Sequence, residues 1–507
     1  MSDPASSPPL PPVVYAEASP RSSGGTSLFE TEGEITVDRV TDFASESDLV
    51  DRAASRLADA GFQVLQRTPL TINIAGPPAL YEDYFRTNLV ADEREVMRLG
   101  VIDGTATFVD AADTDIWGLI DTSRSPVADL VEGVAIEEPA FRFQSADPPM
   151  LDGYWHLDVP DQLAELLRAD AVHELGVLGT GVRLTMVDSG WERHPYFVAR
   201  GLAGTVVLGP GATDAATDEN GHGTGESANA FAVAPGITFT MVKANFSNSV
   251  GAFNAAVAQT PAPHIISNSW GYSVERRPLS AIHQALAASV AFAVANGIVV
   301  VFSAGNGHYG FPAQHPDVIA AGGVFIDLEG AMRASDYASG FASKVYPGRN
   351  VPDVCGLVGM RPRAMYIALP VPSGSELDVD LSNDRALHPN GDGTGPDDGW
   401  AVFSGTSAAC PQVAGICALI REVDPDLSPA GIREVLTRSA TDVTEGRASP
   451  STGGPAAGPG VDLATGAGLA DAAAAVHAVR PELRRTIDLR TGWAIGADRD
   501  RRVPHDG

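Results

Sequence analysis

Lysine, cysteine and long apolar runs are scarce in this 507-residue chain. Lys243 and Lys344 are its only lysines, and 64 acidic side chains face 34 basic ones, for a formal net charge of −30. A surface of that sign repels nucleic acid and anionic lipid, which both bind positive potential. The expected partners therefore exclude nucleic acid and membrane and leave polypeptide. Three cysteines, Cys355, Cys410 and Cys417, cannot all pair with one another, and none has CxxC or Cys/His spacing. That argues against a disulfide scaffold and against zinc. Cys410 and Cys417 are about two helical turns apart and read as small buried hydrophobes on one face. No apolar stretch reaches the roughly 18 residues of a membrane helix. The opening MSDPASSPPLPPVVYAEASP lacks the basic and apolar regions of a signal peptide, so a cytoplasmic location is expected, with non-standard secretion left open.

What is present describes a globular protein, 44% hydrophobic and 19% charged, with more chain than one core usually serves. Residues 1–30, rich in Pro, Ser and Gly, are expected to form a disordered leader. From 33 to 145 the text reads as a small α+β unit. EITVDRV alternates like a strand, Glu46 to Gly61 has amphipathic helical spacing, FQVLQ and LTINIAG are strand-like, PPALYEDYFRTNL is a second helix, and VEGVAIEEP closes the unit. That order suggests a split βαβ sandwich. Residues 88–130 resist assignment and read as an insertion.

Over 155–482, strands alternate with helices, the signature of an α/β layer fold with a mainly parallel sheet. VRLTMVDSG, ITFTMVKA, HIISNSWG and IVVVFSAGN are the strands, and SAIHQALAASVAFAVANG is a crossover helix. Chemistry in such sheets gathers beyond the carboxyl ends of the strands. Residues 372–399 are acidic and Gly/Pro-rich and read as a surface loop. Ser428 to Val443 and Leu469 to Val479 are terminal helices, and 483–507 is a charged, solvated tail.

Three segments complement one another chemically. In FSGTSAACPQVAGICALI, Gly405 permits close approach, Ser407 sits where a turn becomes a helix, and the helix start favours a developing oxyanion. DENGHGTGESANAFAVAPG sets His222 between glycines ahead of a second helix. LTMVDSGW ends a buried strand at Asp188, a costly place for a carboxylate unless a partner such as histidine fills its hydrogen bonds. Hydroxyl, imidazole, carboxylate and oxyanion donors are the parts that acyl transfer needs.

With VDSG around Asp188, GHGT around His222 and GTSAACPQVAG around Ser407, in that chain order, the sequence resembles the subtilisin-like serine proteases over roughly residues 160–480. The resemblance implies a subtilisin-like three-layer α/β fold, an Asp188, His222 and Ser407 triad, and Asn306 of SAGNG as side-chain oxyanion donor. It also implies substrate-binding edges at Ser269, Trp270 and Gly271 of NSWG and at Ser303, Ala304 and Gly305. No cofactor is implied for the chemistry. The 33–145 unit resembles in element order the family's ferredoxin-like propeptide, which implies an intramolecular chaperone or inhibitor cut away near residues 140–165, with a permanent docking domain as the alternative. Serine endopeptidase activity on polypeptide is the implied function. The rivals are a catalytically silent peptide-binding pseudoprotease and a protease dedicated to one precursor peptide.

The departures are as specific. Where the family commonly continues GHGT with a second histidine, this chain has Gly225-Glu226-Ser227. Glu226, four positions after His222, is expected as a solvated helix-start carboxylate, the alternative being an influence on the protonation of His222 or a substrate contact. Trp270 stands at a commonly aliphatic position, which it either widens or caps, the alternative being that it merely packs. Asp378, Asp380, Asp384, Asp392, Asp397 and Asp398 offer oxygens that would suit a structural calcium, but without EF-hand spacing they read as a solvated loop. His194, His308 and His315 lack metal spacing and read as surface or packing residues, so no metal site is assigned.

Overall fold

The structure, a computed structural model, describes residues 8–30, 33–97, 102–142, 156–361, 365–382 and 391–485. Its largest sheet runs in the order Gly204–Leu208, Thr238–Lys243, Arg183–Asp188, Ile265–Asn268, Val299–Ser303, Ile319–Ile326 and Met332–Ala334, with Val354–Leu357 also paired to Ile319–Ile326. All pairs are parallel except that of Ile319–Ile326 with Met332–Ala334. Strands covered on both faces need apolar side chains on both. Leu184, Met186, Met241 and Val301 point into a core shared with helices His222–Val233, Thr406–Val423 and Ala472–Val479. Their neighbours Val187, Val242 and Val300 point the other way, toward helices Ser249–Val257 and Ala281–Ala295. The result is the expected three-layer α/β fold. Chain order reverses direction across the sheet at Arg183–Asp188, so Asp188 ends a strand at a topological switch point.

Ahead of it stands a five-stranded antiparallel sheet in the order Gln63–Arg67, Ile72–Gly76, Val14–Pro20, Val131–Ile136 and Leu119–Asp121. Helices Ser47–Asp59 and Pro78–Phe85 cover one face around Ala16, Ala18, Leu57, Ile74 and Tyr81. The other face meets helices Ser249–Val257 and Ala281–Ala295. There Asn73 and Asn248 exchange side-chain hydrogen bonds at 2.8 and 2.9 Å, and Glu137 accepts from Val250 N at 2.9 Å.

Two expectations are overturned. Val14–Pro20 lies not in a disordered leader but at the centre of this sheet, and Leu28 and Phe29 are also buried. Flanking prolines and serines hid an alternation in which small Ala16 and Ala18 fit beneath the helices. EITVDRV is no strand. Ile35, Val40 and Phe43 pack on the apolar core that contains helix Ala281–Ala295, and Val37 N donates to Asp317 Oδ2 at 2.7 Å instead of to a neighbouring strand. One-sided burial against a helix imitates strand alternation.

The unassigned segment is a long antiparallel hairpin, Leu89–Met97 with Ile102–Ala111, followed by the edge strand Leu119–Asp121. The acidic segment is also corrected. It contains helix Glu376–Ser382, and Asp378 and Asp392 are buried, Asp378 Oδ2 accepting from Gly374 N and the two Asp392 oxygens from Thr394 N and Val402 N. Residues 1–7, the segment 143–155 where a cut is expected, Asp384, and the tail from 486 lie outside the described residues.

Candidate active site

Asp188, His222, Asn306 and Ser407 are all fully buried, with Asp188 beside His222 and Asn306 beside Thr406, the neighbour of Ser407. Asp188 Oδ1 accepts from Ser189 N at 2.7 Å and lies 2.7 Å from His222 Nδ1. Glycine makes this approach possible. Gly221 has φ +93°, and a Cβ on Gly223 would fall 2.3 Å from Gly190 O, in the turn that follows Asp188. Asp218 fixes the turn around His222 by accepting from Gly221 N, Thr224 N and Thr224 Oγ1. Phe403 lies stacked beside the His222 ring, with centroids 6.2 Å apart.

Ser407 is the second residue of helix Thr406–Val423, entered through Gly405 at φ +116°. Pro411 in that helix has no N–H for the carbonyl four residues back. That carbonyl belongs to Ser407 and accepts instead from Ser269 Oγ at 2.9 Å, while Ser407 Oγ donates to Ser269 O at 3.2 Å. The nucleophile candidate and the cleft strand are thus stitched together. Asn306 Oδ1 accepts from both Thr406 N and Thr406 Oγ1 at 3.0 Å, which turns its amide donor end away from Thr406. Asp218 and Thr406 escaped sequence reasoning. Their signal was only that each stands inside or beside a motif whose backbone needs an acceptor or a hydroxyl.

The cleft residues divide by backbone and side chain. Trp270 and Gly271 pair antiparallel with Arg142 and Phe141, so this edge already holds an extended strand of the same chain. The side chain of Trp270 does not cap a subsite. It is fully buried against Phe246, Tyr272 and Phe302, because strand alternation turns it inward. Ser303 ends the strand Val299–Ser303, and Ala304 and Gly305 follow it. Ser303 Oγ donates to Asn268 O at 3.5 Å, and Gly305 N donates to Thr406 Oγ1 at 3.1 Å.

Glu226 corrects the sequence reading most sharply. It is fully buried, one turn after His222, and its Oε1 lies 3.7 Å from His222 Nε2. Burial and the nearby Asp188 push its carboxyl well above the usual range. The signal was the composition of helix His222–Val233, small or apolar on every face and hence buried all round. His194, His308 and His315 are packing residues, all buried. His194 Nδ1 accepts from Tyr196 N, while His308 Nε2 meets Met97 O and His315 Nε2 meets Ile35 O, each at 2.8 Å. Among the described residues, no group of three or more His, Cys, Asp or Glu is placed to hold a metal ion, and no helix is long and apolar enough to cross a membrane.

Comparison with known proteins gives the family. Alkaline elastase YaB of Bacillus sp. (strain YaB) is 27% identical over 292 residues, 55% of this chain and 64% of that protein. Subtilisin E of Bacillus subtilis (strain 168) is 28% identical over 297 residues, 54% of this chain and 64% of its own length. This chain therefore spans under two thirds of those relatives. Among solved structures, fervidolysin from Fervidobacterium pennivorans, a keratinolytic enzyme related to subtilisin, shares the fold with a TM-score of 0.52 at 16% identity, over 92% of this chain and 61% of that one. Residues 179–468 match the subtilase family, a span that encloses all four buried side chains of the site, and the chain belongs to that family.

Proposed function

We propose that this chain is a serine endopeptidase that cleaves polypeptides through an acyl-enzyme on Ser407. The observation that carries the reading is the 2.7 Å contact of His222 Nδ1 with Asp188, buried from water. A ring that donates from Nδ1 to a carboxylate has its lone pair on Nε2. Nε2 would take the Ser407 hydroxyl proton as Oγ attacks the carbonyl carbon, and return it to the leaving amine. Asn306 and backbone N–H groups at the helix start would receive the oxyanion, and water would then release the acyl group by the same proton path. The steps use side chains and backbone alone and need no cofactor.

The pairing of Phe141–Arg142 with Trp270–Gly271 supports a second element of this reading, that the N-terminal unit inhibits the site from within. Ser407 Oγ donates to Ser269 O, and His222 Nε2 has no hydrogen-bond partner among the described residues, so the attacking pair is not yet joined. Cleavage within 143–155 would let the covering strand leave. The test is hydrolysis of an unfolded polypeptide such as casein by wild type and by Ser407→Ala, before and after nicking of that segment by a second protease. New amino termini are expected from nicked wild type alone. Equal rates from the serine variant, or none from a folded, nicked wild type, would overturn the proposal.

A further inference from the structure

Glu226 is the one carboxylate in a helix buried along its whole length. Such a group needs its oxygens filled. Oε2 accepts from Asn229 Nδ2 at 2.9 Å, and Asn229 Oδ1 in turn accepts from Gln412 Nε2 at 3.1 Å. Gln412 is pinned to both backbone groups of Leu357, at 2.6 and 3.0 Å. This network fixes the carboxyl and leaves Oε1 pointing elsewhere. Oε1 and His222 Nε2 each have no hydrogen-bond partner among the described residues, and they face one another at 3.7 Å. A closure of about 0.8 Å would make a hydrogen bond.

We propose that Glu226 is a positioning residue for His222, a second carboxylate that faces Nε2 as Asp188 faces Nδ1 and holds one proton between itself and the ring. The inference rests on the reading of His222 as general base. While that proton is present, Nε2 cannot accept from Ser407. Its loss to solvent leaves Glu226 ionised and the Nε2 lone pair available, but with two carboxylates flanking a neutral ring out of contact with water. That state is disfavoured, so the proton leaves at higher pH than it would from a histidine with one carboxylate partner.

The surroundings act in the same direction. Burial and Asp188, from strand Arg183–Asp188, both push the Glu226 carboxyl up. Cys410, facing from helix Thr406–Val423, has its thiol pushed up to about 12 by burial and brings no charge. Asn229, Gln412 and Phe403 are neutral. The device would keep the site quiet below the pH at which the shared proton departs.

The direct test reads the proton without needing turnover. Histidine-labelled full-length Ser407→Ala protein is titrated by ¹⁵N NMR, with and without Glu226→Leu, and His222 is assigned by its absence from a His222→Gln sample. Removal of Glu226 should lower the pH at which Nε2 loses its proton by about one unit or more, a tenfold change in the equilibrium. Glu226→Gln keeps the volume and an oxygen for Asn229 but cannot hold the proton. It should show the same shift, and it carries the test if the leucine variant does not fold. In nicked enzyme with Ser407 intact, the acid limb of kcat/KM should move down by the same amount. An unmoved titration and an unmoved acid limb in an active enzyme would overturn the proposal while leaving the peptidase reading in place. A shifted titration in a protein that hydrolyses nothing would do the reverse.

Discussion

The two units of the molecule bury their carboxylates in different company. In the parallel-sheet unit, Asp188 meets His222, and Asp353 is held by Arg349, Arg433 and Ala320 N. On the face of the antiparallel unit, Glu17 and Glu137 are as deeply buried yet have no cationic partner among the described residues. Glu17 accepts from Asn73 Nδ2, and Glu137 from Val250 N at the start of helix Ser249–Val257. Burial pushes Glu17 up to about 7, and pushes Glu137 well above the carboxylate range. Asp188 and Asp353 are paired acids inside one unit, whereas Glu17 and Glu137 line the contact between units without a cation. The first kind should be needed at every pH, and the second should make the contact depend on proton load.

That contrast can be broken or sharpened by substitution. Asp188→Asn keeps the shape but frees the wrong ring tautomer of His222, and turnover of nicked enzyme should fall by on the order of 10⁴-fold. Asp353→Asn leaves Arg349 and Arg433 buried with one partner fewer. Unfolding of Ser407→Ala protein in denaturant should show a loss of about 3–5 kcal/mol at any pH from 6 to 9. Asn306→Leu should lower kcat by about 10²- to 10³-fold with KM nearly unchanged, the loss seen when subtilisin gives up its own side-chain oxyanion donor.

Glu17→Gln should act in the opposite sense and only over a pH window. The folded group releases its proton near 7 and the unfolded one near 4.5, so between these values folding binds a proton and stability falls as pH rises. The substituted amide cannot ionise, so the variant should match wild type at pH 4 and exceed it at pH 8, by at most about 3 kcal/mol in the Ser407→Ala background. A paired acid that proves dispensable, or a Glu17→Gln variant that is no more stable at pH 8, would erase the distinction between the two kinds of burial.

The candidate site was legible because the chemistry proposed for it constrains residue and backbone together. Gly221 and Gly405 mark left-handed turns before His222 and Thr406, and polar ends on VRLTMVD and IVVVFS mark the rim of the sheet. Tertiary contacts were less so. Val14–Pro20 reads as leader because its neighbours are proline and serine, and only its pairing with Ile72–Gly76 and Val131–Ile136 makes it a central strand. EITVDRV alternates as a strand does but buries its apolar side on a helix. Glu226 and Trp270 show the same limit, since neither a charge nor a ring says which way its own helix or strand faces.

The measurement that tests the central claim most directly is the mass of the tryptic peptide carrying Ser407 after exposure of nicked protein to a fluorophosphonate. The account predicts an adduct on Ser407 of wild type, greatly slowed in Asp188→Asn and absent from Ser407→Ala. An unmodified Ser407 peptide from folded, nicked wild type, or an adduct only on some other serine, would contradict it.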